Sequence, residues 1–150
     1  MRRTLFFAAA AVAALACRQP VYASGPISVY ALISKVSFEP SAENPERVRI
    51  EGVFITAEDQ AGKYSAPQAG TLFFKLPPSN PDLARREWAD LKSLASTRQV
   101  VGIGSSWSAI VRLHKPDESQ SPDDYPMGNG LIRVNADQPR AKQLLDFKGR

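Results

Sequence analysis

The chain holds one cysteine, Cys17, and one histidine, His114. A zinc centre draws three or four ligands mostly from those two residue types, so neither a structural nor a catalytic zinc can be assembled from them. The apolar run from Leu5 to Ala16 is too short to span a bilayer. Glycine-rich phosphate loops are missing too. Gly102-Ile103-Gly104 is followed by Ser-Ser-Trp, and neither the third glycine of a dinucleotide fingerprint nor Gly-Lys-Ser/Thr is present. No metal and no cofactor is indicated.

The N-terminus has the three parts of a secretory leader: Arg2 and Arg3, then the apolar run, then the small-x-small site Val21-Tyr22-Ala23. Cleavage is expected before Ser24, which makes residues 1–23 a signal peptide and the protein a periplasmic or secreted one. Two variants of export compete with this. Ala14-Leu15-Ala16-Cys17 partly matches a lipoprotein box, in which Cys17 carries the lipid and the protein is a cell-envelope lipoprotein. That box usually has an aliphatic residue where Ala14 stands. Arg2-Arg3 partly matches a twin-arginine leader, but nothing downstream calls for a cofactor folded in before export.

Cleavage changes the charge argument. The 19 basic and 15 acidic residues give +4, but Arg2, Arg3 and Arg18 leave with a leader that has no acids, so the mature balance is about +1. The nucleic-acid reading is weakened accordingly. Under ordinary cleavage Cys17 leaves as well, which excludes disulfides and thiol catalysis from the mature domain.

Residues 24–134 read as one β-rich domain and 135–150 as a polar C-terminal tail. Ile27 to Phe38 is apolar on both alternating faces, with Ile27, Val29, Ala31 and Ile33 on one and Tyr30, Leu32, Val36 and Phe38 on the other. A strand buried on both sides, or one bending between two sheets, gives this pattern. Arg47 to Glu58 alternates around Val48, Ile50 and Phe54, and Gly52 in its middle marks a bulge or bend. Thr71 to Leu76 is a third strand. Asn80-Pro81-Asp82 opens a helix running to about Ala95, with Trp88, Leu91, Leu94 and Ala95 as its buried stripe and Arg86 and Asp90 spaced for an ion pair. Strands over Gln99–Gly104 and Ala109–His114 follow, then an acidic, proline-rich loop from Lys115 to Met127 and an extra terminal strand, Leu131–Val134. The tail carries one helix-compatible patch, Ala141 to Phe147, expected to be frayed or only partly docked. Three strands, a helix and two strands, plus the extra one, is an order that resembles an OB-type five-stranded barrel. Another small β-rich sandwich or open barrel with one helix is the alternative.

Barrels of that type bind on one sheet face, with aromatic side chains for stacking and basic ones for charge. The available set is Tyr30, Arg47, Arg49, Tyr64, Phe73, Lys75 and Trp107. Phe73 and Lys75 share the outward face of their strand, as do Arg47 and Arg49. The competing reading makes the aromatics core residues and the arginines solvated edges. A catalytic alternative rests on Ser105 or Ser106 with His114, the one imidazole that can serve as a base. Asp117, Glu118, Asp123 and Asp124 match no calcium loop and read as a solvated acidic segment. The expected function is therefore a non-enzymatic exported module whose partner is an envelope protein, a glycan or a small ligand. Membrane attachment is expected only through lipid on Cys17, and a small serine hydrolase is the second reading.

Overall fold

A computed structural model describes residues 26–106 and 109–149. The leader, Cys17 and Trp107 lie outside these. The described chain is mainly β. Strands β1 (Val29–Phe38), β2 (Arg47–Thr56), β3 (Gln68–Lys75), β4 (Val100–Gly104) and β5 (Gly130–Arg133) form one open sheet in the order β3-β2-β1-β4-β5, antiparallel throughout. Helix α1 (Pro81–Ser96) joins β3 to β4, and α2 (Pro139–Asp146) follows β5.

β1 is the central strand, and both of its faces are covered. Val29, Ala31 and Ile33 face the main core with Val48, Ile50 and Phe54 of β2, Leu72 and Phe74 of β3, Val101 and Ile103 of β4, and Leu91 and Leu94 of α1. Tyr30 and Leu32 face a second, smaller core with Ile55, Val100 and Val134, closed by Ala141 and Leu144 of α2. The C-terminal patch is therefore docked: both of those α2 side chains are fully buried. Its few apolar residues suffice because they meet a sheet face that is already apolar.

A bulge divides β1. Ile33 pairs with Gly52 and Lys35 with Glu51, leaving Ser34 unpaired, and its hydroxyl donates to the Glu51 carbonyl (3.1 Å). One extra residue reverses the inward parity of the strand. Val36 consequently packs on the main core beside Ile33, not on the face of Tyr30 and Leu32. Gly52 lies opposite the bulge, where a Cβ would stand 2.3 Å from the Leu32 carbonyl oxygen, so only glycine fits.

The segment expected as a strand over Ala109–His114 is not one. Its backbone groups are taken up singly: the Val111 amide donates to the Ser28 hydroxyl (2.9 Å) and the His114 amide to the Thr71 carbonyl (2.8 Å). The fifth strand is instead Gly130–Arg133, so no extra terminal strand exists beyond it among the described residues. Just before β5, Gly128 forms an isolated parallel bridge with Phe74 of β3; Lys75 N–H donates to the Gly128 carbonyl (2.7 Å) and Gly128 N–H to that of Phe73 (3.1 Å). Ladder pairing goes no further between the sheet's two edges, and the sheet remains open.

Asn80 caps α1, its side-chain oxygen accepting from the Leu83 amide (3.1 Å), with Pro81 at the first helical position. The ion pair along the helix is Asp82–Arg85 rather than Arg86–Asp90. Trp88 and Ala95 are only half-buried against the core, Trp88 meeting the exposed Phe38 edge-on (6.3 Å). The fully inward position one residue earlier belongs to Glu87, which is 6% exposed and whose Oε2 has no hydrogen-bond partner. Burial, with the neighbouring Asp90 carboxylate adding to it, pushes the Glu87 carboxyl up to about 7. The folded state thus holds a proton that the unfolded chain has released. Stability from this residue is complete below the ordinary carboxylate range and is lost as pH rises from about 4.5 to about 7. Glu87→Gln should remove that slope and raise stability above pH 7 by up to about 3 kcal/mol. Urea denaturation of both proteins at pH 5 and pH 8 tests this; equal slopes in the two would show that Glu87 is solvated.

Candidate functional site

The register of β2 against β3 places Arg47 opposite Lys75 and Arg49 opposite Phe73, so four of the anticipated binding residues share one outer sheet face. They are not equally accessible there. The long connection between β4 and β5 folds back across this face and covers part of it.

Phe73 is 3% exposed although it points away from the main core. The Arg47 guanidinium lies 4.9 Å from its ring centre, and the His114 ring meets it edge-on at 5.4 Å. His114 Nδ1 is hydrogen-bonded to the Tyr125 hydroxyl (2.7 Å) and its ring lies nearly parallel to that of Tyr125. Arg112 closes the far side of Tyr125, 3.9 Å from its centroid, and pairs with Glu118 at 2.6 Å. Phe73, His114, Tyr125 and Arg112 form a continuous series of ring contacts, edge-on between the first two and near-parallel between the next.

Asp123 locks the stack to the sheet. Its carboxylate is 3.2 Å from Arg47, with side chains 8% and 10% exposed, and accepts from Asn44 Nδ2 at 2.6 Å. Arg47 Nε also donates to the Glu39 carbonyl (2.9 Å). Burial alone raises the Asp123 carboxyl, but hydrogen bonds from Asn44 and Ser41 and the charge of Arg47 outweigh it and hold the group below its ordinary value. Two of the four loop acids, Glu118 and Asp123, are thus internal counter-ions.

The remaining anticipated residues separate. Arg49 is part-exposed between Glu39 (3.8 Å) and Glu51 (3.6 Å). Tyr64 lies under α2, donating to the Ile27 carbonyl (2.6 Å), edge-on to Tyr30 (5.5 Å) and beneath Arg140 (4.1 Å). Tyr64 and Tyr30 therefore fasten the C-terminal helix and are not grouped with Arg47. Trp107 is outside the described residues.

The serine and histidine candidates each bond elsewhere. Ser105 Oγ donates to the Ala109 carbonyl, Ser106 Oγ accepts from Asn129 Nδ2, and the His114 nitrogen nearest a partner faces Tyr125. A nucleophile–base contact of the kind acyl transfer needs is not among these bonds. Among the described residues no group of three or more histidine, cysteine or acidic side chains is placed to hold a metal ion.

Between the end of β3 and the covering segment lies a cleft of about 280 Å³, walled by Asn44, Lys75, Ser105, Ser106, Tyr125 and Asn129, with Asp123 at its edge. None of the family models, curated proteins or solved structures compared with the chain matches it. The site therefore stands on its own geometry. A second cleft of about 270 Å³ lies beyond Ser105, lined by Ile27, Ser28, Asp59, Tyr64 and Ile110. It has no cationic side chain, and Lys75 distinguishes the first. Asn44, Tyr125 and Asn129 could not be anticipated from local pattern, since they reach the cleft from two loops far apart in sequence, Asn44 between β1 and β2 and the other two in the β4–β5 connection.

Removing Asp123 leaves the buried Arg47 with only the part-exposed Glu39 carboxylate at 3.7 Å, so Asp123→Ala should cost about 3 kcal/mol. The pair Arg47→Met with Asp123→Leu should cost much less than the sum of the two single changes. Urea unfolding at neutral pH of the wild type, Asp123→Ala, Arg47→Met, Asp123→Leu and the double variant checks both statements; additive losses would mean that the two charges do not interact.

Proposed function

We propose that this protein is a non-enzymatic binding module of the bacterial cell envelope, exported by the leader at residues 1–23 and built on an OB-type barrel. The barrel reading is supported by the strand order β3-β2-β1-β4-β5 together with the Gly128–Phe74 bridge, which draws the two sheet edges toward the contact that closes such barrels. Among the described residues no helix is long and apolar enough to cross a membrane. The export reading itself rests on the leader pattern in the sequence.

The observation that carries the binding reading is the cleft at Lys75, where polar side chains meet Pro126 and Met127. Its walls offer an amine, three hydroxyls and two carboxamides around a space suited to a small group. Tyr125 in one wall is packed against His114, which in turn meets Phe73 of β3, the kind of support a recognition site requires. The ligand class that fits is a glycan, a small polar molecule or a polar segment of an envelope protein.

Asn129→Trp fills the cleft without touching the core. The wild-type protein should bind one class of bacterial envelope glycan or peptide saturably on an array, and the variant should lose that binding with an unchanged melting temperature. Turnover of small ester substrates that disappears in Ser105→Ala or Ser106→Ala would replace this reading with a hydrolase.

A further inference from the structure

The cleft has a charge preference written into the sheet, and the inference rests on the binding reading just given. Arg47 and Lys75 are directly opposed across β2 and β3. Like charges in that relation destabilise a sheet unless each is compensated. Arg47 is compensated twice, by Asp123 at 3.2 Å and by Glu39 at 3.7 Å. Lys75 is not: among the described residues no carboxylate lies within ion-pair distance of its amine, although the side chain is only half-exposed and lines the cleft.

The surroundings of Lys75 are those of an anion receptor. Ser106 Oγ accepts from the Asn129 carboxamide, and among the described residues its own proton has no acceptor. The Asn129 side chain in turn holds that hydroxyl in place. Asp123 also lines the cleft, its carboxylate paired with Arg47 and hydrogen-bonded by Asn44. One negative charge is thus wanted beside Lys75, and a second would meet Asp123.

The geometry points to a monoanionic oxyanion, a carboxylate or a phosphodiester carried on a small hydroxylated unit, as the group that Lys75 and Ser106 receive in this cleft. A neutral sugar lacks the charge that Lys75 is left without. A phosphate monoester, with its second charge, is disfavoured by Asp123.

The test is a titration of isotope-labelled protein with glucuronate, dimethyl phosphate, inorganic phosphate and glucose at constant ionic strength. The amides of Lys75, Ser106 and Asn129 are followed by NMR. Glucuronate or dimethyl phosphate should produce saturable shifts confined to these amides, and which of the two binds more tightly identifies the anion. Lys75→Met should weaken that binding by about tenfold or more, whereas Lys75→Arg should retain most of it. Saturable binding of glucose, unaffected by Lys75→Met, would overturn the charge inference and leave the binding module standing. Shifts that track added chloride equally well, or no saturable shift with either monoanion, would also overturn it. The binding module itself is tested separately, by array binding of the wild-type protein against Asn129→Trp.

Discussion

A buried ion pair between residues 76 apart in sequence, Arg47 and Asp123, holds the outer half of this fold in place. The connection from β4 to β5 has almost no ladder of its own. Its backbone is held by isolated bonds from Val111, His114 and Gly128, and the Val111 side chain is buried in the main core. A segment so poorly paired would be free to leave the sheet unless side chains fixed it. Taking two charges out of water is costly, and such a pair holds only when its remaining donors and acceptors are met. Here the main ones are met: Asn44 donates to the carboxylate, Arg47 Nε donates to the Glu39 carbonyl, and the guanidinium lies over the Phe73 ring. The stack of Phe73, His114, Tyr125 and Arg112 then follows from the position of the segment.

A similar need for cover governs the other side of the sheet. Because β1 is apolar on both faces, it needs a cover on each: α1 with the curled sheet on one, α2 on the other. The bulge at Ser34 limits the doubly buried stretch to the first half of the strand. Beyond it the outward side chains are Lys35 and Ser37, with Phe38 exposed at the strand's end. Glu87 is the exception on α1, a carboxyl at a position that pattern alone reserves for an apolar residue.

Much of this was legible in local pattern. The double-faced β1, the inward alternation of β2, the Asn80-Pro81 start of α1 and the glycine at the bulge all follow from residue type and period. The shared outward face of Arg47 and Arg49, and that of Phe73 and Lys75, was legible as well, but not that β2 and β3 pair so as to bring the four together. What failed to be read depends on tertiary contact. Ala109–His114 alternates like a strand, yet its backbone partners are a serine hydroxyl and a single carbonyl of β3. The Lys115–Met127 acids look solvated until Arg47 and Arg112 are seen to claim two of them. The tail looks too polar to dock, but docking needs only Ala141 and Leu144 because Tyr30, Ile55 and Val100 already provide the apolar surface.

The most direct measurement of the central claim is native-state hydrogen exchange at the amides of His114 and Gly128, which donate to Thr71 and Phe73 of β3. In the wild-type protein both should be protected well above the level of exposed turns. In Asp123→Ala both should lose protection together while the β1–β2 amides around Phe54 keep theirs, the behaviour of a segment released from an intact sheet. Unchanged protection of His114 and Gly128 in that variant would contradict the account and show that the segment is held without the ion pair.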